Sequence, residues 1–192
     1  MTMRIIAGHL RGRRLEAPAT PLTRPTGDRV RESLFNVLGN LLGERDLSYA
    51  SCRFLDAFAG SGALGLEAYS RGVPDGAFIE QNVTAFSTLL HNLQSVGAAH
   101  LKAYRRDTCD PGKPHGTFNL IFLDPPYGKG LVRRSLRALE RNGWIEKQAM
   151  LVVEMGAEEE APPLDEYVCL DRRVYGAAQI LFYSVGVAET DS

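Results

Sequence analysis

From residue 53 onward the chain alternates short apolar runs with longer stretches in which apolar residues return every third or fourth position. Residues 53–58, 77–80, 101–104, 120–123 and 150–154 are rich in Phe, Leu, Ile and Val and too short for helices, the pattern of strands buried on both faces. Residues 64–70, 84–96 and 131–142 carry helical periodicity, and each follows a strand-like run, where a helix can cross over between parallel neighbours. The repeated order predicts an α/β fold, an open, doubly wound, Rossmann-like sheet.

The two ends differ. Residues 4–7 and 11–16 are β-like and flank a turn at Gly8, predicting a small hairpin, and a Pro-rich linker follows over 18–25. Val30, Leu34, Val37, Leu38 and Leu41 recur at helical spacing, with Thr26 or Asp28 as the expected cap. Residues 167–174 and 179–185, joined through Tyr175-Gly176, predict a closing antiparallel hairpin. The expected division is a hairpin and linker over 1–24, a main domain over 25–186 and a disordered tail over 187–192.

With 192 residues, 44% hydrophobic and 23% charged, one domain with a small appendage is expected. No run approaches the roughly 18 apolar residues of a membrane span, and residues 1–10 lack the apolar core of a signal peptide, so a cytoplasmic protein is expected. Cys52, Cys109 and Cys169 have no CxxC or Cys/His spacing, which predicts no disulfide framework, no metal site and reduced packing residues. The net charge of −1 hides a skew: residues 1–31 hold seven arginines against Glu16 and Asp28, while 151–192 hold nine acids against Arg172 and Arg173. Such a skew fits two solvated faces or a nucleic-acid surface, and the arginine fork suits phosphate.

Directly after the first core strand comes Asp56-Ala57-Phe58-Ala59-Gly60-Ser61-Gly62-Ala63-Leu64-Gly65, a GxGxxG match between a strand and a helix. Glycines there let the backbone approach a ligand closely, and Glu80 ends the second strand where an acid would accept from ribose hydroxyls. Dinucleotide enzymes share this pattern. Asp56 favours S-adenosylmethionine, because a carboxylate at the strand end suits a cationic amino-acid moiety better than a pyrophosphate. Asp107 fits either an acceptor for an adenine amino group or a solvated strand-end acid.

The decisive segment is Asp124-Pro125-Pro126-Tyr127, immediately after the apolar strand 119–123. Ligands of open α/β sheets bind beyond the carboxyl ends of strands, which puts this turn beside the glycine loop. An exocyclic amine on a base is a poor nucleophile because its lone pair is delocalised into the ring. The Asp124 carboxylate and the Pro125 carbonyl, accepting from its two hydrogens, would aim that lone pair at a sulfonium methyl. Pro125 and Pro126 stiffen the turn, and Tyr127 either stacks on a flipped base or lines the pocket.

These motifs together resemble the amino-methyltransferases of DNA, RNA and glutamine. More narrowly, Arg4 to Gly8, Arg11-Gly12-Arg13, Arg24-Pro25-Thr26, the run from Asp28 to Asn36, and Phe122 to Tyr127 are similar to the RsmD family of bacterial small-subunit rRNA guanine-N2 methyltransferases, a likeness over nearly the whole chain. The resemblance implies a seven-stranded methyltransferase fold and S-adenosylmethionine contacts at Asp56, Phe58, Gly60, Ser61, Gly62, Glu80, Gln81, Asp107 and Asp124. It also implies a guanine of 16S rRNA in an assembling or assembled 30S particle as substrate, modified by a monomer. Arg4, Arg11, Arg13, Arg14, Arg24, Arg29 and Arg31 are then expected to form the rRNA-facing surface. A DNA methyltransferase lacks room here for a target-recognition insertion. An oxidoreductase would leave the Asp-Pro-Pro-Tyr turn unexplained, and an assembly factor on a degenerate scaffold would not need Gly60, Gly62 and Asp124 intact.

Overall fold

The computed structural model describes residues 3–17, 27–164 and 166–185. Arg24, the 18–25 linker and the 187–192 tail lie outside them. β1 (Met3–Arg4) and β2 (Arg14–Leu15) form a two-stranded ribbon. The main sheet has seven strands: β3 (Arg53–Asp56), β4 (Asp75–Ile79), β5 (Lys102–Tyr104), β6 (Phe118–Leu123), β7 (Ile145–Gly156), β8 (Tyr167–Tyr175) and β9 (Ala178–Val185), in the order β5-β4-β3-β6-β7-β9-β8. β3 to β7 are mutually parallel, and β9 pairs antiparallel with both β7 and β8. The expected doubly wound sheet with its antiparallel closing hairpin is therefore present.

The apolar runs form central strands because both faces of the sheet are covered. Alternate residues Phe54, Leu120, Phe122, Val152 and Phe182 pack with α1 (Asp28–Gly43), α2 (Ala63–Ser70) and α3 (Val83–Ser95). Their neighbours Leu55, Ile121, Leu123, Val153 and Leu181 pack against α4 (Leu131–Arg141) and Trp144. Cys52 belongs to the core, whereas Cys109 is half-buried and Cys169 exposed, so of three cysteines expected to be mostly packing residues one is a core residue.

The N-terminal ribbon is shorter than expected because its backbone donors are taken elsewhere. The Ile6 and Ala7 N–H groups donate to the carboxylate of Glu67 on α2 (2.8 and 3.1 Å), a side chain with no solvent exposure. The same carboxylate accepts from Arg71 Nε at 2.7 Å, and the Arg71 guanidinium lies over the Phe35 ring of α1. At the turn, His9 N–H donates to the Ser70 carbonyl, and a Cβ at Gly8 (φ +81°) would sit 1.7 Å from that oxygen. Only glycine fits. The segment thus lies along α2, with its turn at the helix C-terminus and Met3 and Glu16 at the other end, near the loop between β3 and α2.

Arg31 and Asp28 depart from expectation. Gly27 precedes α1 without a side-chain cap, and Asp28 lies in the first turn, paired with Arg4 (3.0 Å) and Arg31 (3.1 Å). Arg31 is 1% exposed, and its Nη2 donates to the Arg4 carbonyl at 2.5 Å. It is an internal strut between α1 and the ribbon and cannot belong to a solvent-facing RNA surface.

Replacing Glu67 with Ala strands two amides and buries Arg71 without its partner, which should cost about 3–5 kcal/mol of stability in urea unfolding. A loss within experimental error of zero would show that Glu67 does not hold the ribbon to the domain.

Candidate active site

The sheet order reverses between β3 and β6, neighbours in space whose connections run to opposite sides, and Asp56 and Asp124 stand at the carboxyl ends of these two strands. Four acids meet along this edge because each parallel strand delivers its last residue to the same side: Glu80 after β4, Asp56 on β3, Asp124 after β6 and Glu154 on β7.

The glycine loop holds its shape through carboxylates. Gly62 (φ +84°) precedes α2 with no side-chain cap of its own; a Cβ there would lie 2.5 Å from Leu89 Cδ1. Asp56 Oδ2 accepts the Gly65 N–H of the first turn of α2 at 2.9 Å. Burial pushes the Asp56 carboxyl up to about 7; the Gly65 bond opposes that shift and the charge of Glu80 adds to it. Glu80 accepts from Gly60 N–H (2.8 Å) and Asn82 N–H (2.7 Å), tying the β3 loop to the β4 loop. Each of its oxygens keeps a second lone pair for a ligand hydroxyl.

The other expected positions are less uniform. Phe58 is half-buried on the α4 side, and Gln81 is exposed beside Glu80. The Ser61 hydroxyl points to Met3 Sδ (3.8 Å), and its carbonyl accepts from Asn92, which also clasps Glu16. Ser61 therefore joins the glycine loop to the N-terminal ribbon, with its side chain engaged there. Asp107 is exposed beyond β5, with one oxygen on Cys109 N–H. Its loop is drawn to the end of β3 by buried Thr108, which donates to the Ala57 carbonyl. A single threonine outside any pattern offers no sequence signal for that role.

Around the Asp-Pro-Pro-Tyr turn, Pro125 is buried and Pro126 exposed. Burial raises the Asp124 carboxyl well above the usual carboxylate range, and the charges of Glu154 and Asp56 raise it further. Tyr127 is 47% exposed, and its hydroxyl donates to Glu154 Oε1 at 3.1 Å. Gly128 N–H donates to Glu159 Oε1 at 2.9 Å. Glu154 and Glu159 fix this turn from β7 and the loop after it. Sequence reasoning missed both, although an acid within the apolar run 150–155 was a visible signal.

Of the expected RNA contacts, Arg4, Arg11, Arg13, Arg14 and Arg29 are exposed. Arg4 and Arg14 lie on the paired strands of the ribbon, Arg13 adjoins Arg14, and Arg11 sits toward the turn. The geometry assembles an acid-lined crevice with stiffened acceptors on one side and a basic segment along α2. Among the described residues no group of three or more His, Cys, Asp or Glu is arranged to hold a metal ion, and no helix is long and apolar enough to cross a membrane.

Comparison with known proteins shows the family. Residues 3–184 match the family model described as conserved hypothetical protein 95. The chain is 40% identical over 164 residues to ribosomal RNA small subunit methyltransferase D of Escherichia coli, covering 83% of this chain and 78% of that protein. It is 34% identical over 187 residues to the putative rRNA methyltransferase YlbH of Bacillus subtilis, covering 94% and 98%. The solved structure of the putative methyltransferase yhhF from Escherichia coli superposes with a TM-score of 0.82 at 34% identity, over 96% of this chain and 98% of that one. The chain belongs to the RsmD family of ribosomal RNA small subunit methyltransferases.

Proposed function

We propose that this methyltransferase moves a methyl group from S-adenosylmethionine to the exocyclic N2 of a guanine in 16S rRNA of the small ribosomal subunit, acting as a monomer in the cytoplasm. The observation that carries the reading is the pair of acidic strand ends at the sheet reversal, Asp56 and Asp124, with a rigid Asp-Pro-Pro-Tyr turn on the second. The names of the relatives supply the substrate class.

The residues fit the cofactor. A row of carboxyl groups is poorly matched to a pyrophosphate and well matched to a ligand carrying a sulfonium and an ammonium group. Asp56 and the backbone of Phe58, Gly60, Ser61 and Gly62 would hold the amino-acid end, Glu80 and Gln81 the ribose, and Asp107 the adenine. Bound there, the cofactor supplies an electrophilic methyl group. Asp124 and the Pro125 carbonyl would accept the two hydrogens of the guanine amine and direct its lone pair along the line of displacement. The methyl would pass to that nitrogen as its bond to sulfur breaks, with S-adenosylhomocysteine as the leaving group. The methylated nitrogen then gives up one proton, and Asp124, with its raised carboxyl, is placed to take it on the way to water. Tyr127, anchored by Glu154, presents its ring as a stacking face. Exposed Arg4, Arg11, Arg13, Arg14 and Arg29, with Arg24, would contact phosphates.

Labelled methyl transfer to 30S subunits lacking their native modifications should give N2-methylguanosine with the wild type. Asp124→Ala should lower the rate by about 100-fold or more. Methyl on another atom, or an unimpaired Asp124→Ala enzyme, would contradict the reading.

The buried Asp56 implies a cost in the unliganded protein. Because its folded pKa is raised, the folded state favours the neutral form, and stability falls as pH rises from 3.8 toward about 7. Asp56→Asn keeps an acceptor for Gly65 without the charge. It should be more stable than wild type at pH 8, by about 2–4 kcal/mol, with the gap closing near pH 4, while losing cofactor affinity. Equal unfolding midpoints at both pH values would show that Asp56 is not strained by burial.

A further inference from the structure

The expected basic surface lies on the α2 side of the sheet. A second basic feature occupies the other side. α4 begins shortly after the Asp-Pro-Pro-Tyr turn, and within Leu131–Arg141 it carries Arg133, Arg134, Arg137 and Arg141 against the single acid Glu140. All four arginines are exposed, as is Lys129 just before the helix. Arg133, Arg137 and Arg141 are spaced by four residues, about 6 Å along the axis, and Arg134 flanks them. Gly130, Arg133, Arg134, Arg137, Glu140 and Arg141 line an open groove of about 570 Å³.

The row is costly for folding alone. Like charges four residues apart repel. Arg133 and Arg134 fall in the first turn, where the helix dipole already carries positive potential and no acid offsets it. Among the described residues, no ion pair involves Arg134, Arg137 or Arg141. Glu140 accepts from the hydroxyl of Tyr167 at 2.5 Å, and Glu166 lines a groove with Arg133 and Arg137. The opposite face of the helix is apolar, with Val132, Leu136 and Leu139 buried against the sheet. A helix anchored by that face, with repelling guanidinium groups outward and its start at the target turn, matches a polyanion strand crossing the crevice.

We propose that the α4 arginine row is a second RNA-backbone site, taking phosphates on the side of the target nucleotide opposite the N-terminal ribbon. The proposal rests on the rRNA reading given above. RNA then runs over the carboxyl edge of the sheet with basic groups on both sides of the base pocket. Arginine forks, rather than a diffuse positive field, make the contacts.

The test uses the full chain with Arg134, Arg137 and Arg141 replaced together by Ala, and separately by Lys. Binding to rRNA extracted from unmodified 30S subunits is followed across a salt titration, alongside methylation of those subunits and cofactor binding. Loss of three contacts to single-stranded backbone should flatten the slope of log K against log salt by about 2 and weaken binding about tenfold or more. KM should rise with kcat near wild type, cofactor affinity should hold, the melting temperature of the Ala variant should hold or rise as the repulsion is relieved, and the Lys variant should keep most of the slope. A triple Ala variant with the wild-type slope and KM, from a wild type that methylates rRNA, overturns the α4 site and leaves the rRNA reading standing. Loss of particle binding with unchanged binding to bare rRNA also overturns it and assigns the row to a protein surface. A wild type that neither binds nor methylates rRNA overturns both.

Discussion

Parallel strands deliver their last residues to one edge, and in this protein the residues delivered at the central reversal are acids. Asp56 and Asp124 end neighbouring strands, with Glu80 and Glu154 on the strands outside them. Their mutual repulsion and their burial are paid in stability. A fold serving only itself would place apolar or small residues there. The glycine loop, the rigid turn and the anchoring of Tyr127 all take their positions from this edge, because Asp56 fixes the start of α2, Glu80 fixes Gly60, and Glu154 holds the Tyr127 hydroxyl. The same groups that shape the crevice give it its acidic lining.

A second constraint joins the basic N-terminal segment to this crevice. Glu67, Arg71 and Arg31 form a buried polar connection between α1, α2 and the ribbon, and Asn92 clasps Glu16 to the glycine loop. Buried ionic groups of this kind contribute little net stability compared with apolar substitutes, yet they specify one geometry. Placing the ribbon on the helix that opens at the glycine loop holds a basic segment at a fixed distance from the acidic strand ends.

The doubly wound sheet and the two motifs were legible in the sequence because each rests on local signals: apolar runs bounded by turns, glycines at fixed offsets, and an acid followed by two prolines. The terminal hairpin was legible for the same reason. Arg31 was not, since a helix-start arginine reads as solvent-facing until its partners at Arg4 and Asp28, brought by tertiary folding, are known. The full strands expected at 4–7 and 11–16 contracted because Glu67, some sixty residues away, takes the amides that a strand partner would have bonded. Glu154, Glu159 and Thr108 act across strands, through contacts that no spacing in the chain records.

The most direct test of the central claim is the pH dependence of ligand affinity, comparing S-adenosylmethionine with S-adenosylhomocysteine by calorimetry. Both carry the same amino-acid end, so its titration cancels in the comparison, and they differ by the charge of the sulfonium. If the raised carboxylates at the strand ends serve that cation, its binding favours their ionised forms and releases protons. The affinity ratio of the sulfonium ligand to the neutral product then rises as pH climbs from 5 through the range in which the raised Asp124 carboxyl ionises, and levels off above it. A ratio that stays constant across this range, with no protons released, would contradict the account.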